Sequence, residues 1–81
     1  MDDLGFDTKL YQKLRDVRST LSKRDNVPSY VVFSNNTLEY FTRLKPKTEE
    51  QAMRIRGVSQ TRAEKYLDMF LRVIANHEMG L

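Results

Sequence analysis

Residues 27–38 read VPSYVVFSNNTL, and the fold class turns on this stretch. Tyr30-Val31-Val32-Phe33 is an apolar run of β-favouring residues, yet the chain on either side has helical spacing. A single strand leaves its backbone N–H and C=O groups without partners. No second run of this kind exists in the sequence to pair with it. The stretch therefore reads as an extended or single-turn connector near residues 28–33, burying Val31, Val32 and Phe33, inside an all-α fold.

Working outward, Pro28 disfavours helical geometry at Val27, so a helix before it fades near Asp25-Asn26. That helix is capped by Asp7 and carries Leu10, Leu14, Val17 and Leu21 at i, i+4, i+7 and i+11, a helical stripe. After the connector Ser34 caps a second helix, with Leu38, Phe41 and Leu44 inward and an end before Pro46. Thr48-Glu49-Glu50-Gln51 forms a capping box and opens a short helix to about Ile55. Gly57 marks a turn and Ser59 caps the last helix, whose apolar face holds Ala63, Tyr66, Leu67, Phe70, Val73 and Ile74. The expectation is a compact bundle of four to five helices.

The 81 residues fit one small domain, residues 1–81, with 1–6 a flexible N-terminal tail and 78–81 a frayed end. Such a chain buries only about 60–65% of its unfolded surface. There is no cysteine, so neither a disulfide framework nor a thiolate metal site supplements the core. The longest apolar run falls far short of the roughly 20 residues of a membrane span, and the acidic start MDDLGFD is unlike a signal peptide. The chain reads as soluble, with no membrane contact.

Catalysis finds no footing. His77 is the single histidine and reads as an ordinary surface residue near a helix end. The pairs Asp2-Asp3 and Glu49-Glu50 are chain neighbours, which do not face one another on a helix. The three glycines are isolated, so no phosphate-cradling loop forms. Neither a metal site nor a cofactor is expected.

Binding is better supported. Against 11 Asp+Glu stand 14 Lys+Arg, a formal net charge of +3; that excess is mild, but its distribution is uneven. The first helix carries Lys9, Lys13 and Arg24 on one flank of its stripe and Tyr11, Arg15 and Arg18 on the other. An aromatic beside arginines suits a single strand, the ring stacking a base and the guanidinium groups meeting phosphate. The alternative is that Tyr11 packs at the core edge and the charges only solvate the helix. The second basic stretch, RIRGVSQTR, leaves the backbone N–H groups of Gly57, Ser59 and Gln60 facing outward at a helix start, with Arg54, Arg56, Arg62 and Lys65 nearby. The alternative there is a plain connector with solvated arginines. A backbone-phosphate site reads no sequence.

In their order and spacing, LYQKLRDVR, VPSYVVFSNNTL, LKPKTEE and IRGVSQTRAEKY resemble the HRDC domain, named for helicases of the RecQ type and RNase D. The resemblance runs from Leu10 to Ile74, roughly four-fifths of the chain. It implies a helical auxiliary module, itself non-catalytic, beside a helicase or nuclease core, most naturally an ATP-dependent RecQ-type DNA helicase acting in DNA repair, recombination and replication. Tyr30 matches a loop-exposed, often aromatic position that serves stacking in DNA-binding members. Ser59 stands where a third motif glycine is common, Ser29 replaces a second proline, and Leu67 replaces a glycine after the motif tyrosine. A longer or merely bent final helix follows from the last change.

The resemblance then implies weak, sequence-nonspecific binding of single-stranded or branched, partly unpaired DNA. Tyr30 stacks, while Lys9, Lys13, Arg15, Arg18 and Arg24, or the cluster of Arg54, Arg56, Ser59, Arg62 and Lys65, meet phosphate. The competing expectation is a docking module for the parent helicase core or other repair proteins, with little DNA affinity; RNA binding, as in an RNase D relative, is a third. The domain is expected to be monomeric and intracellular, in the nucleus or the bacterial nucleoid according to its source.

Overall fold

Asp7 opens α1 (Thr8–Asp25): its Oδ1 accepts from the Leu10 N–H at 3.0 Å, satisfying one of the first-turn donors a helix leaves open. The computed structural model describes residues 7–80, and the expected tail at 1–6 lies outside them, as does Leu81. α1 ends where Asn26 turns left-handed, φ 55°, and the Val27 N–H reaches back to the Ser22 carbonyl. Asparagine tolerates that conformation better than most residues.

Pro28 then starts α2 (Ser29–Val32), a single helical turn rather than a strand. Successive residues on a helix step by about 100°, so one turn cannot point three neighbours inward. Val32 is fully buried, Val31 is half-buried, and Tyr30 stands out of the bundle. Phe33 leaves the turn extended and enters the core.

α3 (Asn35–Leu44) is capped by the Ser34 hydroxyl, which accepts from the Thr37 N–H at 3.2 Å. Leu38 and Phe41 point inward as expected, but Leu44 is 62% exposed. The helix ends there, Lys45 is left-handed at φ 44°, and Pro46 takes the buried place as the chain turns. α4 (Glu49–Met53) begins at Thr48, whose hydroxyl caps Gln51, while the Gln51 side chain accepts from the Lys47 N–H, one residue earlier than a capping box requires.

The last stretch is one continuous helical rod in three parts: α5 (Gln60–Arg62), a π-turn at Ala63–Leu67, and α6 (Asp68–Glu78). A leucine at 67 thus gives no break, only one widened turn. Counting the rod once, the described residues hold five helices and no strand. Glu78 remains helical, and the amides of Met79 and Gly80 still reach back to carbonyls of the final turn.

The core gathers at three phenylalanines from three elements. Phe33 packs edge-on against Phe41 (5.3 Å, 77°) and Phe70 (5.0 Å, 84°), and Phe41 lies 6.0 Å from Phe70. Edge-to-face pairs of this kind add about 0.5–1.5 kcal/mol beyond the area they bury. Leu10, Leu14, Leu21, Leu38, Leu67 and Ile74 close around the rings. Among the described residues no buried side-chain nitrogen or oxygen lacks a hydrogen-bond partner. No helix among them is long and apolar enough to cross a membrane.

Candidate nucleic-acid interface

Tyr30 is 67% exposed, the most open large apolar side chain of the described residues. The turn that carries it is too short to persist alone, so its position depends on what grips its backbone. Arg62 donates from Nε to the Val31 carbonyl at 3.0 Å, and Arg18 donates from Nη1 to the Phe33 carbonyl at 2.9 Å. These carbonyls lie at a helix end, where no intrahelical donor follows.

Beside the turn lies a shallow depression of about 210 Å³, lined by Val31, Ser59, Thr61, Arg62, Lys65 and Tyr66. Val31 lies 28 to 35 positions before the others in the sequence; the depression exists because α2 packs against the start of the last rod. Its rim reaches α1 through Tyr66, whose hydroxyl donates to Asp25 Oδ2 at 2.7 Å. Arg24 pairs with the same carboxylate, Nε to Oδ1 at 2.9 Å. The Arg24 hydrogen bond, then the Tyr66 one, holds Asp25 below the usual carboxylate range, and Lys65 adds to the effect. Ser59, Arg62 and Lys65 thus share the depression with Val31, the residue after Tyr30, and Arg24 joins them through Asp25 and Tyr66.

Two of these candidates are not free for a ligand in the way the sequence suggested. The Ser59 hydroxyl accepts from the Arg62 N–H at 3.2 Å, so it caps the rod. Arg62 is half-buried and spans two carbonyls, Val31 and, at 3.4 Å, Gly57.

Arg18 requires a correction. It is only 7% exposed and its guanidinium is turned into the bundle, so it meets no phosphate from this position. Burial pulls its pKa below the ordinary arginine value; Tyr11 opposes that shift and Arg15 adds to it.

The remaining cations lie elsewhere. Lys9 and Arg15 are exposed along α1, Arg15 beside Gln12, Asp16 and Ser19. Lys13 approaches α6, its Nζ 3.1 Å from His77 Nδ1. Arg54 and Arg56 are exposed in the turn after α4, where the Arg56 carbonyl accepts from the Thr37 hydroxyl at 2.9 Å. Arg24 and Lys65, one from each basic stretch, both act on the Asp25 carboxylate.

His77 is not the plain surface residue expected. It is half-buried, and its Nε2 lies 2.7 Å from Oδ2 of Asp7, the carboxylate that caps α1. Lys45 completes the group, its Nζ 3.7 Å from both Asp7 and Glu78. No local spacing joins residues at opposite ends of the chain, so the sequence held no signal for this contact.

The described residues thus form a small helical bundle with one exposed ring and scattered cations on its surface. The comparisons with known proteins sharpen this. The HRDC domain profile matches residues 7–74, and the chain belongs to the HRDC domain family. HRDC domains are non-catalytic accessory domains of helicases. The fold matches a solved structure, Deinococcus radiodurans RecQ HRDC domain 3, with a TM-score of 0.80 and 31% identity over 86% of this chain and 91% of that one. The ATP-dependent DNA helicase RecQ of Pasteurella multocida is 30% identical over 76 residues, 94% of this chain and 12% of the relative. That of Bacillus subtilis is 33% identical over 66 residues, 82% of this chain and 11% of the relative. The ATP-dependent DNA helicase UvrD2 of Mycobacterium tuberculosis is 32% identical over 68 residues, 84% of this chain and 10% of the relative. The chain spans about one-eighth or less of the length of these relatives.

Proposed function

We propose that this domain is an auxiliary nucleic-acid-binding module of a RecQ-type helicase, taking single-stranded or partly unpaired DNA weakly and without sequence preference. One observation carries the reading: an exposed Tyr30 ring on a turn gripped from two sides, beside a depression edged by Lys65. A π-face accepts any base, and an alanine in place of a stacking ring typically costs about 1–3 kcal/mol of binding. Lys65 and Arg24 meet phosphate near the ring, with Arg54 and Arg56 extending the track; Lys9, Lys13 and Arg15 lie on a separate part of α1 and act as a diffuse field. Such a module works inside the cell as a monomer beside the helicase core. The test is an NMR titration with oligo-dT at two salt concentrations. Shifts centred on Tyr30 and Lys65, with affinity falling as salt rises by a slope of about −0.7 per phosphate contact, support it; no shifts at low salt overturn it.

A second reading, docking on a protein partner, is favoured by a different observation. Pro46, Ile74, Ala75 and Met79, with the charged Lys47 and Glu78, line a mainly apolar depression of about 270 Å³, and Met79 and Leu44 are 66% and 62% exposed. Retention by a RecQ-type catalytic core, lost in Met79→Glu and indifferent to oligo-dT, would favour it over the first.

A further inference from the structure

We infer that Arg62 and Arg18 are positioning residues that set the Tyr30 ring against the rod's cations, an inference that rests on the DNA-binding reading above. α2 is a single turn, and its N-cap position, Pro28, provides no side-chain cap. Val32 and Phe33 anchor it in the core, but a turn this short leaves its last carbonyls without intrahelical donors. Two guanidinium groups supply what the turn lacks, one from α1 and one from α5.

The choice of arginine at 18 is telling. The side chain lies in the core without a carboxylate in ion-pair range among the described residues, and its charged neighbour Arg15 is also a cation. Burying a charge this way is costly, and an apolar residue at a stripe position would avoid the cost. What arginine adds is reach and direction: a charge-assisted hydrogen bond to one carbonyl, Phe33.

Arg62 acts along a second line. By bonding Val31 and Gly57 together it ties the Tyr30 turn to the turn of Arg54 and Arg56. Thr37 fixes the second of these turns to α3 by donating to the Arg56 carbonyl. Ring and cations are thereby held at one spacing before any ligand arrives, which spares the ordering cost at binding.

The test separates position from charge. Lysine at 62 keeps the charge but has one nitrogen in place of the two, Nε and Nη1, that meet Val31 and Gly57. In the 81-residue chain, R62K is expected to weaken oligo-dT binding ~5- to 10-fold, within the range of a lost stacking ring. Its salt slope should stay at the wild-type value, and Y30A on top of R62K should cost little more. Amide exchange at Tyr30–Phe33 should quicken in R62K without DNA present, while α1 stays protected. R18M, which cannot touch DNA from the core, should show the same non-additivity with Y30A. A slope that falls in R62M while R62K binds as wild type makes Arg62 a phosphate contact and overturns the inference. Additive losses with Y30A, or unchanged exchange at Tyr30–Phe33, also overturn it. A wild type that does not bind oligo-dT overturns the proposed function and this inference together; the other adverse outcomes overturn this inference alone.

Discussion

The Tyr66 hydroxyl donates to Asp25 Oδ2 at 2.7 Å, joining the last turn of α1 to the π-turn of the final rod across 41 positions of chain. The bond raises the Tyr66 pKa above its ordinary value of 10.0, because the carboxylate favours the protonated phenol. Asp25 moves the other way, below 3.8, through Arg24 first and Tyr66 second. The stabilisation tied to Tyr66 is therefore complete below pH 10.0 and lost as pH climbs through the raised value. Asp25→Asn should let the phenol ionise at lower pH in a spectrophotometric alkaline titration. Tyr66→Phe should lower Tm modestly and move the Asp25 carboxylate partway back up, read by NMR.

Arg18→Met tests how far the connector depends on a core cation. The Phe33 carbonyl would lose its donor at a buried site, which costs about 1–3 kcal/mol. Urea unfolding should show a lower midpoint with an unchanged slope, since the exposed area on unfolding hardly changes.

Asp7 sets the acid limit. The Leu10 N–H bond lowers its pKa below 3.8 most, then the His77 hydrogen bond and the charges of His77 and Lys45, against an opposing burial effect. Its stabilisation is present above 3.8 and lost as pH falls through the lowered value. Asp7→Ala removes the cap and the His77 contact together and should cost about 1 kcal/mol or more at neutral pH. The loss should shrink toward zero in urea melts below the Asp7 transition. Asp7→Asn keeps a cap but not the charge, so it should fall between the two.

Gly57→Ala should be more harmful than an exposed turn suggests. Gly57 sits at φ +94°, and a Cβ there would overlap the Thr37 hydroxyl. That hydroxyl already bonds the Arg56 carbonyl and the Ser34 hydroxyl. The expected loss exceeds about 1 kcal/mol, with a drop in Tm in calorimetry, and Thr37→Ala in the same chain should recover only the steric part.

What the sequence disclosed follows from the range of each interaction. The caps at Asp7, Ser34, Thr48 and Ser59 each bond an amide three residues on, so a short window contains both partners. The connector was legible as a non-strand for want of a pairing partner. Arg18 was misread because residue type outweighed position: it falls four residues after Leu14 and three before Leu21, on the buried side of α1. Leu44 failed the opposite way, being apolar at a helix end where the backbone changes hand. The candidate site was legible only in its parts. Tyr30 stood out in the family pattern, but which cations share the depression beside its turn depended on the docking of α2 against the rod, and Tyr66 with Asp25 left no local trace.

The contact of three rings places Phe33, one residue past the Tyr30 turn, at the meeting of α3 and α6. The four-residue turn therefore takes shape only when elements distant in the chain have met, and it folds with the domain or not at all. Tyr30 is accordingly not a portable recognition motif. A synthetic peptide of residues 27–38 would carry the ring and none of its geometry, and grafting the stretch onto another scaffold would transfer the letters without the surface.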